Sequence, residues 1–373
     1  MSILSDDING NLALLAVERA VAELRRGRAV FVRGPASGAI AAAIETTPPK
    51  QLERLLATGG DATRLVISAH RARALGWSGH AEALASRLPA SIDPVALLAL
   101  AGVEPTIVTD VIRASLPARG LEPAGAAAAA AVALAKQARL LPALLLIERE
   151  GAGAPSQMLE VGIDDIATYE RPDAEHLARV SEARVPLAGH EDCRLVLYRD
   201  DRDGTEHVAV LIGAFDSAGP VPVRLHSSCL TGDLLGSLRC DCGEQLRGAV
   251  ERLAAAGGGV LLYLAQEGRG IGLANKLRAY ALQDTGLDTL DADQHLGFEP
   301  DERTYESAAS MLRDLGIGRV RLYTNNPRKV EALAESGIEV VERVYIGART
   351  NPHNERYIRT KQERAGHYSV DEG

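Results

Sequence analysis

Apolar and polar residues alternate through three successive stretches, 192–200 (DCRLVLYRD), 206–215 (EHVAVLIGAF) and 220–229 (PVPVRLHSSC). A period of two turns one face of a strand to a core and the other to solvent, so all three are predicted as antiparallel strands. The rhythm then changes. Residues 259–266 (GVLLYLAQ) form an unbroken apolar run of strand length, followed by a glycine loop and a helical stretch in 267–286 (EGRGIGLANKLRAYALQDTG). Residues 319–337 repeat the plan as strand, polar turn and helix, with Gly337 where a helix would end in the left-handed conformation. One more β-rich run follows at 337–344. The second half is therefore mixed α/β.

The first half reads differently. It is rich in Ala, Leu and Arg, and its alanine run at 125–141 predicts a closely packed helix, since Ala has the best helix propensity. A charged connection with proline near both ends lies at 170–186. It sets the expected domains at 1–175 and 176–373, within a fold class of α/β (mixed α+β). The formal net charge of −9 argues against a non-specific nucleic-acid binder. No apolar run reaches the roughly 18 residues of a membrane span. The first eleven residues carry two acids and no basic stretch, unlike a signal peptide, which points to the cytoplasm.

Three of the four cysteines, Cys229, Cys240 and Cys242, fall within fourteen residues, spaced C-x10-C-x-C. A Cys-x-Cys pair closes its own disulfide poorly but readily offers two thiolates to one ion. Three thiolates suit zinc, and a site with three protein ligands leaves a position for a water whose pKa zinc lowers to about 7. Two blander readings stand beside this one: three buried free thiols, or a closed structural site completed by Cys193 or His226.

The motifs VRLHSSCLTGDLLGSLRCDCGEQL, LYLAQEGRGIGLANKLRAYALQDTGLDT, HLGFEPDERTYE and YTNNPRKVEAL resemble those of GTP cyclohydrolase II, in order and over about the last 190 residues. The resemblance implies hydrolysis of GTP to formate, pyrophosphate and a diaminopyrimidine ribosyl phosphate, the first step of riboflavin synthesis. It implies one zinc per subunit on Cys229, Cys240 and Cys242. It places GTP on Arg224, Leu225, His226, Ser227, Ser228, Gln245, Glu267, Gly268, Arg269, Thr289, Thr324 and Lys329, with Mg²⁺ on the triphosphate. Tyr280 matches a proton-shuttling tyrosine, and Asp301 with Arg303 match a pair acting at the α-phosphate. A homodimer is also implied.

One position departs from the family. The family reads H-S-E-C before its first cysteine, whereas this chain has Ser228 in place of the glutamate. That departure keeps two alternatives open. One is a paralogue acting on another purine nucleotide or stopping at the formamide intermediate; the other is a GTP-binding regulatory protein.

In the first half, 17–32, 63–77 and 162–169 resemble 3,4-dihydroxy-2-butanone 4-phosphate synthase. The synthase's acidic loop is absent after the first strand, and alanine stands where its later motif has histidine. His70 and Glu45 match no motif position. The expectation is a degenerate, non-catalytic domain, with an unrelated α/β domain as the alternative.

Overall fold

The computed structural model describes residues 12–77, 81–89, 92–104, 121–151, 153–170, 176–347, 351–364 and 366. The segment read as unlike a signal peptide and part of the charged connection lie outside them. The chain divides into two compact units. One is Met1–Arg171 with Ile271–Glu302, and the other is Pro172–Gly270 with Arg303–Gly373. Residues 271–302, which the sequence grouped with the second half, thus pack within the first unit.

The first unit holds a seven-stranded sheet in the order β5-β4-β3-β6-β2-β1-β7. Its strands are β1 (Val30–Arg33), β2 (Ser37–Ala43), β3 (Thr63–Ser68), β4 (Ala83–Arg87), β5 (Glu122–Pro123), β6 (Ala143–Glu150) and β7 (Glu160–Gly162). Strand β6 reads as a continuous apolar run because both of its faces are covered. Leu144 and Leu146 face a core built with the helices Leu12–Arg25 and Ala126–Gln137. Ala143 and Leu145 face a second core with the helices Pro49–Gly59 and Pro94–Ala101. The alanine run is the predicted helix, burying Ala128, Ala131, Val132, Leu134 and Ala135.

Residues 271–302 add the helices Leu273–Asp284 and Thr289–His295 to this unit. Ile271, Ala279, Leu282, Ala292, Leu296 and Phe298 form a small core around Leu141. Polar contacts tie the segment to the first half of the chain. Arg278 Nη1 donates to Glu45 Oε1 at 2.8 Å, while Glu45 Oε2 accepts from Leu141 N at 2.7 Å. Ser68 Oγ donates to the Gly297 carbonyl at 2.6 Å, and Asn275 Nδ2 to that of Arg139 at 3.0 Å. Arg71, only 2 % exposed, donates to the carbonyls of Leu100, Ala99 and His295. Those carbonyls end two helices, Pro94–Ala101 and Thr289–His295, so the guanidinium meets the negative ends of both. Burial pulls its pKa down to about 10. His70 pairs with Glu299 at 2.8 Å and Arg73 at 2.8 Å. Both residues that matched no synthase motif thus hold this segment.

The second unit holds a seven-stranded sheet in the order β14-β13-β11-β12-β10-β9-β8. Its strands are β8 (Leu177–Arg184), β9 (Cys193–Asp200), β10 (Glu206–Gly213), β11 (Val221–Ser227), β12 (Gly258–Leu264), β13 (Arg319–Tyr323) and β14 (Glu339–Val344). Strands β9 and β10 pair antiparallel, as their alternation predicts. Strand β11 does not follow that expectation: it runs parallel to both β12 and β13. Its first six residues are all buried, and the crossover helix Cys242–Ala255 carries the chain back to start β12 alongside it. A strand covered on both faces has no solvent side for its alternation to report. Cys193 is a core residue, 2 % exposed and packed with Ile212, Leu253 and Leu261. Gly337 takes φ 80°, closing the helix Pro327–Glu335 as predicted.

Candidate active site

Parallel strands β11, β12 and β13 end side by side, and the residues after them form one rim: Ser228 and Cys229, Gln266 and Glu267, Thr324 and Asn325. The carboxyl edge of such a sheet is where ligands settle in open α/β folds. Most residues singled out from the sequence lie along this rim or on the helices entering from it.

Cys229, Cys240 and Cys242 converge there, with their Sγ atoms all within 4.8 Å of one another. Cys229 and Cys240 are 3.7 Å apart. Neither Cys193 nor His226 belongs to this group, so among the described residues it offers three protein ligands and leaves room for a fourth, exchangeable one. Cys242 is the first residue of the helix Cys242–Ala255. The Cys240 thiol is pushed up, chiefly by its hydrogen bond with Cys229. Thiolates this close repel unless a cation sits among them, and a soft, tetrahedral-preferring ion suits the donor set.

The loop between the first two cysteines is shaped by what surrounds it. Leu230–Leu234 forms a single π-type turn, with the Cys229 sulfur accepting from Gly232 N at 3.3 Å. Asp233 grips Cys229 at both ends: its carboxylate accepts from Cys229 N at 2.9 Å, and its own N–H donates to Cys229 O at 2.7 Å. The same carboxylate accepts from Tyr263 OH at 2.9 Å and from His226 Nε2 at 3.1 Å. Parallel pairing sets His226 opposite Tyr263, and their rings stack with centroids 5.7 Å apart. Burial lowers the pKa of His226 and raises that of Tyr263, which keeps the imidazole neutral and the phenol protonated as donors. Nothing in the sequence pattern singles out Asp233 or Tyr263. Their importance comes from the register of β11 on β12 and from the turn.

Beside the thiols, Arg224 is 5 % exposed and its pKa is drawn down to about 10 by burial. It donates to Tyr323 O at 2.9 Å and to Gln245 Oε1 at 2.7 Å, and Gln245 donates in turn to Asp241 Oδ2 at 2.6 Å. Its Nε is buried with no hydrogen-bond partner among the described residues. Leu225 is fully buried, and its carbonyl accepts from Lys329 Nζ at 2.7 Å. Ser227 Oγ donates to Gln266 Oε1 at 3.3 Å, and Ser228 N to Leu264 O at 2.7 Å. Glu267 Oε2 accepts from Leu230 N at 2.6 Å, joining the glycine loop to the cysteine turn. Gly268 and Arg269 follow with φ 62° and 60°, a left-handed pair whose flanking amides stay within the loop: Gly268 N donates to Glu267 Oε1 at 3.2 Å and Gly270 N to Gln266 O at 3.3 Å. Thr324 is buried and accepts from Asn326 N at 3.1 Å. Arg303 and Lys329 flank the Tyr305 ring, at 6.0 and 5.7 Å from its centroid.

Three candidates fall in the other compact unit. Tyr280 lies on the helix Leu273–Asp284 with Lys276 Nζ 5.8 Å from its ring centroid. Thr289 opens its helix after the Asp288 cap, whose carboxylate accepts from Leu290 N and Asp291 N. Asp301 precedes the division between Glu302 and Arg303, so the D-x-R pair is shared between the units.

A family model for GTP cyclohydrolase II matches residues 178–345. A GTP cyclohydrolase-2 from Azospirillum brasilense is 47 % identical over 365 residues, spanning 95 % of this chain and 94 % of that one. One from Xylella fastidiosa (strain Temecula1) is 40 % identical over 363 residues, 96 % of this chain and 88 % of that one. A shorter GTP cyclohydrolase-2 from Cronobacter sakazakii matches at 52 % over 191 residues, 51 % of this chain but 96 % of its own length. A solved two-domain 3,4-dihydroxy-2-butanone 4-phosphate synthase from A. baumannii covers 89 % of this chain and 99 % of its own at 18 % identity and a TM-score of 0.31, a likeness too loose to say anything about the first half.

Proposed function

The chain belongs to the GTP cyclohydrolase II family, and we propose on that footing how its residues divide the work. It is a hydrolase of riboflavin biosynthesis that opens the imidazole ring of GTP, yielding formate, pyrophosphate and a diaminopyrimidine ribosyl phosphate. The convergence of three sulfurs within 4.8 Å is the observation that carries the rest. Cys229, Cys240 and Cys242 would hold one zinc, which supplies Lewis acidity and brings a water's pKa toward neutrality.

Around that centre, Arg224–Ser228 and Gln245 bind the nucleotide near the purine. Glu267, Gly268 and Arg269 of the glycine loop, with Thr289, Thr324 and Lys329, complete the GTP site. Tyr280 carries a proton during ring hydrolysis. Arg303 stabilises charge on the α-phosphate while Asp301 acts as base, and Mg²⁺ accompanies the triphosphate. A guanidinium stays protonated, so charge stabilisation is favoured over covalent attack by Arg303.

Residues 1–175 form a synthase-like domain without chemistry of its own, ahead of a catalytic domain at 176–373. The protein works as a cytoplasmic homodimer that engages neither nucleic acid nor membrane. No helix among the described residues is long and apolar enough to cross a bilayer.

The test is incubation with GTP, zinc and magnesium, with formate, pyrophosphate and pyrimidine quantified together. All three are expected in equal amounts, with no turnover of ribulose 5-phosphate. Cys242→Ser is expected to stop formate release yet still split pyrophosphate from GTP. A folded Cys242→Ser protein that releases no pyrophosphate would join the two steps into one site.

A further inference from the structure

Asp233 has no part in the proposed reaction, yet three donors hold its carboxylate beside the thiols. Its side chain is 7 % exposed, and that of His226 is 3 % exposed. Three donors meet it: the Cys229 amide, the Tyr263 hydroxyl and the His226 imidazole. A buried carboxylate costs several kcal/mol to desolvate, and such a cost persists where the group is fully hydrogen-bonded. Three donors from three different elements give the carboxylate one position.

That position has a consequence for the first cysteine. Asp233 accepts from the Cys229 N–H and donates its own N–H to the Cys229 carbonyl, so both peptide groups flanking the Cys229 Cα are fixed by one residue. The Cα–Cβ direction is then set before any ion arrives, and the Gly232 N–H, 3.3 Å from Cys229 Sγ, holds the sulfur along it. Cys242 needs no such device, because it is the first residue of the helix Cys242–Ala255. Cys229 is alone on the far side of the turn. The Asp233 carboxylate is itself outside the ligand group, so it acts on the metal through Cys229.

We propose that Asp233 is the positioning residue of the metal site, fixing the Cys229 arm, with Tyr263 and His226 as the supports that hold its carboxylate. The proposal rests on the reading of the three cysteines as a zinc site. Outer residues of this kind are typically worth 10- to 100-fold in metal affinity.

The test is zinc affinity of the full chain, measured by chelator competition for the native protein, Asp233→Asn, Tyr263→Phe, the double variant and Cys240→Ser, with thermal unfolding of each. Asp233→Asn is expected to bind zinc about 10- to 100-fold more weakly while still unfolding cooperatively. In cobalt-loaded protein, its thiolate-to-metal bands are expected to shift. Tyr263→Phe is expected to weaken binding less, and to add nothing in the Asp233→Asn background. Native-like zinc affinity in Asp233→Asn, beside a Cys240→Ser protein that has lost the metal, overturns the proposal and leaves the zinc site standing. Full zinc retention by Cys240→Ser instead removes the zinc site itself. Should Asp233→Asn fail to fold, Tyr263→Phe decides: weakened zinc binding supports the proposal, and unchanged binding overturns it.

Discussion

Gly232 has no room for a side chain. A Cβ there would lie 2.7 Å from Cys240 Sγ, 2.9 Å from Cys242 Cβ and 3.1 Å from Cys229 Sγ. The sulfurs can close on one point because that residue presents only backbone to them. Gly232→Ala is expected to spread the cluster, and metal analysis should find zinc content collapsed in a protein that still unfolds cooperatively. Ser228 poses the opposite question, since a residue has lost a group rather than kept free of one. A glutamate at 228, next to Cys229, would offer a charge-assisted hydrogen bond of about 1.5–3 kcal/mol to a ligand bound on the proposed site. If that bond strengthens in the transition state, Ser228→Glu raises kcat/KM for GTP roughly ten- to a hundredfold. Measuring it with GTP and with competing purine nucleotides separates a weakened site from a rebuilt one. Unchanged or lower GTP turnover in the folded variant would point to a different substrate.

At the scale of elements, the helix Thr289–His295 shows how burial and charge tune one group. Burial, and after it the charge of Arg71, lowers the pKa of His295 from 6.5 to about 4. The folded state therefore resists a proton that the unfolded chain accepts. Stability from this residue is fully present above pH 6.5 and is lost as pH falls toward 4. The midpoint of thermal unfolding is expected to drop over that window, and His295→Gln is expected to flatten part of the drop. If native protein and variant lose stability in parallel, another group controls the acid limb. The same helix marks the boundary of what sequence could predict. Strands β12 and β13 with their following helices were legible because each is a local pattern closed by a turn or a glycine. The partners of Arg71 and Ser68 are 224 and 229 residues away, and no periodicity records such a pairing. For the same reason the alternation of β11 suggested the wrong neighbours, whereas the crowding of cysteines found the thiol cluster directly.

The whole molecule is organised around the passage of the chain out of one compact unit and back. Residues 271–302 carry Tyr280 and Thr289, and they bury Ile271, Leu282, Leu296 and Phe298 around Leu141. A fragment of residues 172–373 would lay those side chains bare and strand Arg278 without Glu45. It is expected to bind a hydrophobic dye and to release formate far more slowly than the full chain, though the Cronobacter sakazakii relative is matched along 96 % of its length by only 191 residues of this chain. A soluble fragment with full activity would show that the first half lends nothing to this segment. The anchoring of residues 271–302 within the first unit also bears on heredity. A domain that loses its own reaction is ordinarily free to decay and then to be deleted. Here Glu45, Ser68, Arg71 and Leu141 are answerable to the cyclohydrolase reaction through the segment they hold. On the proposed reading, in which the first half has no chemistry of its own, selection would overlook change across much of that half while still purging changes at those four positions.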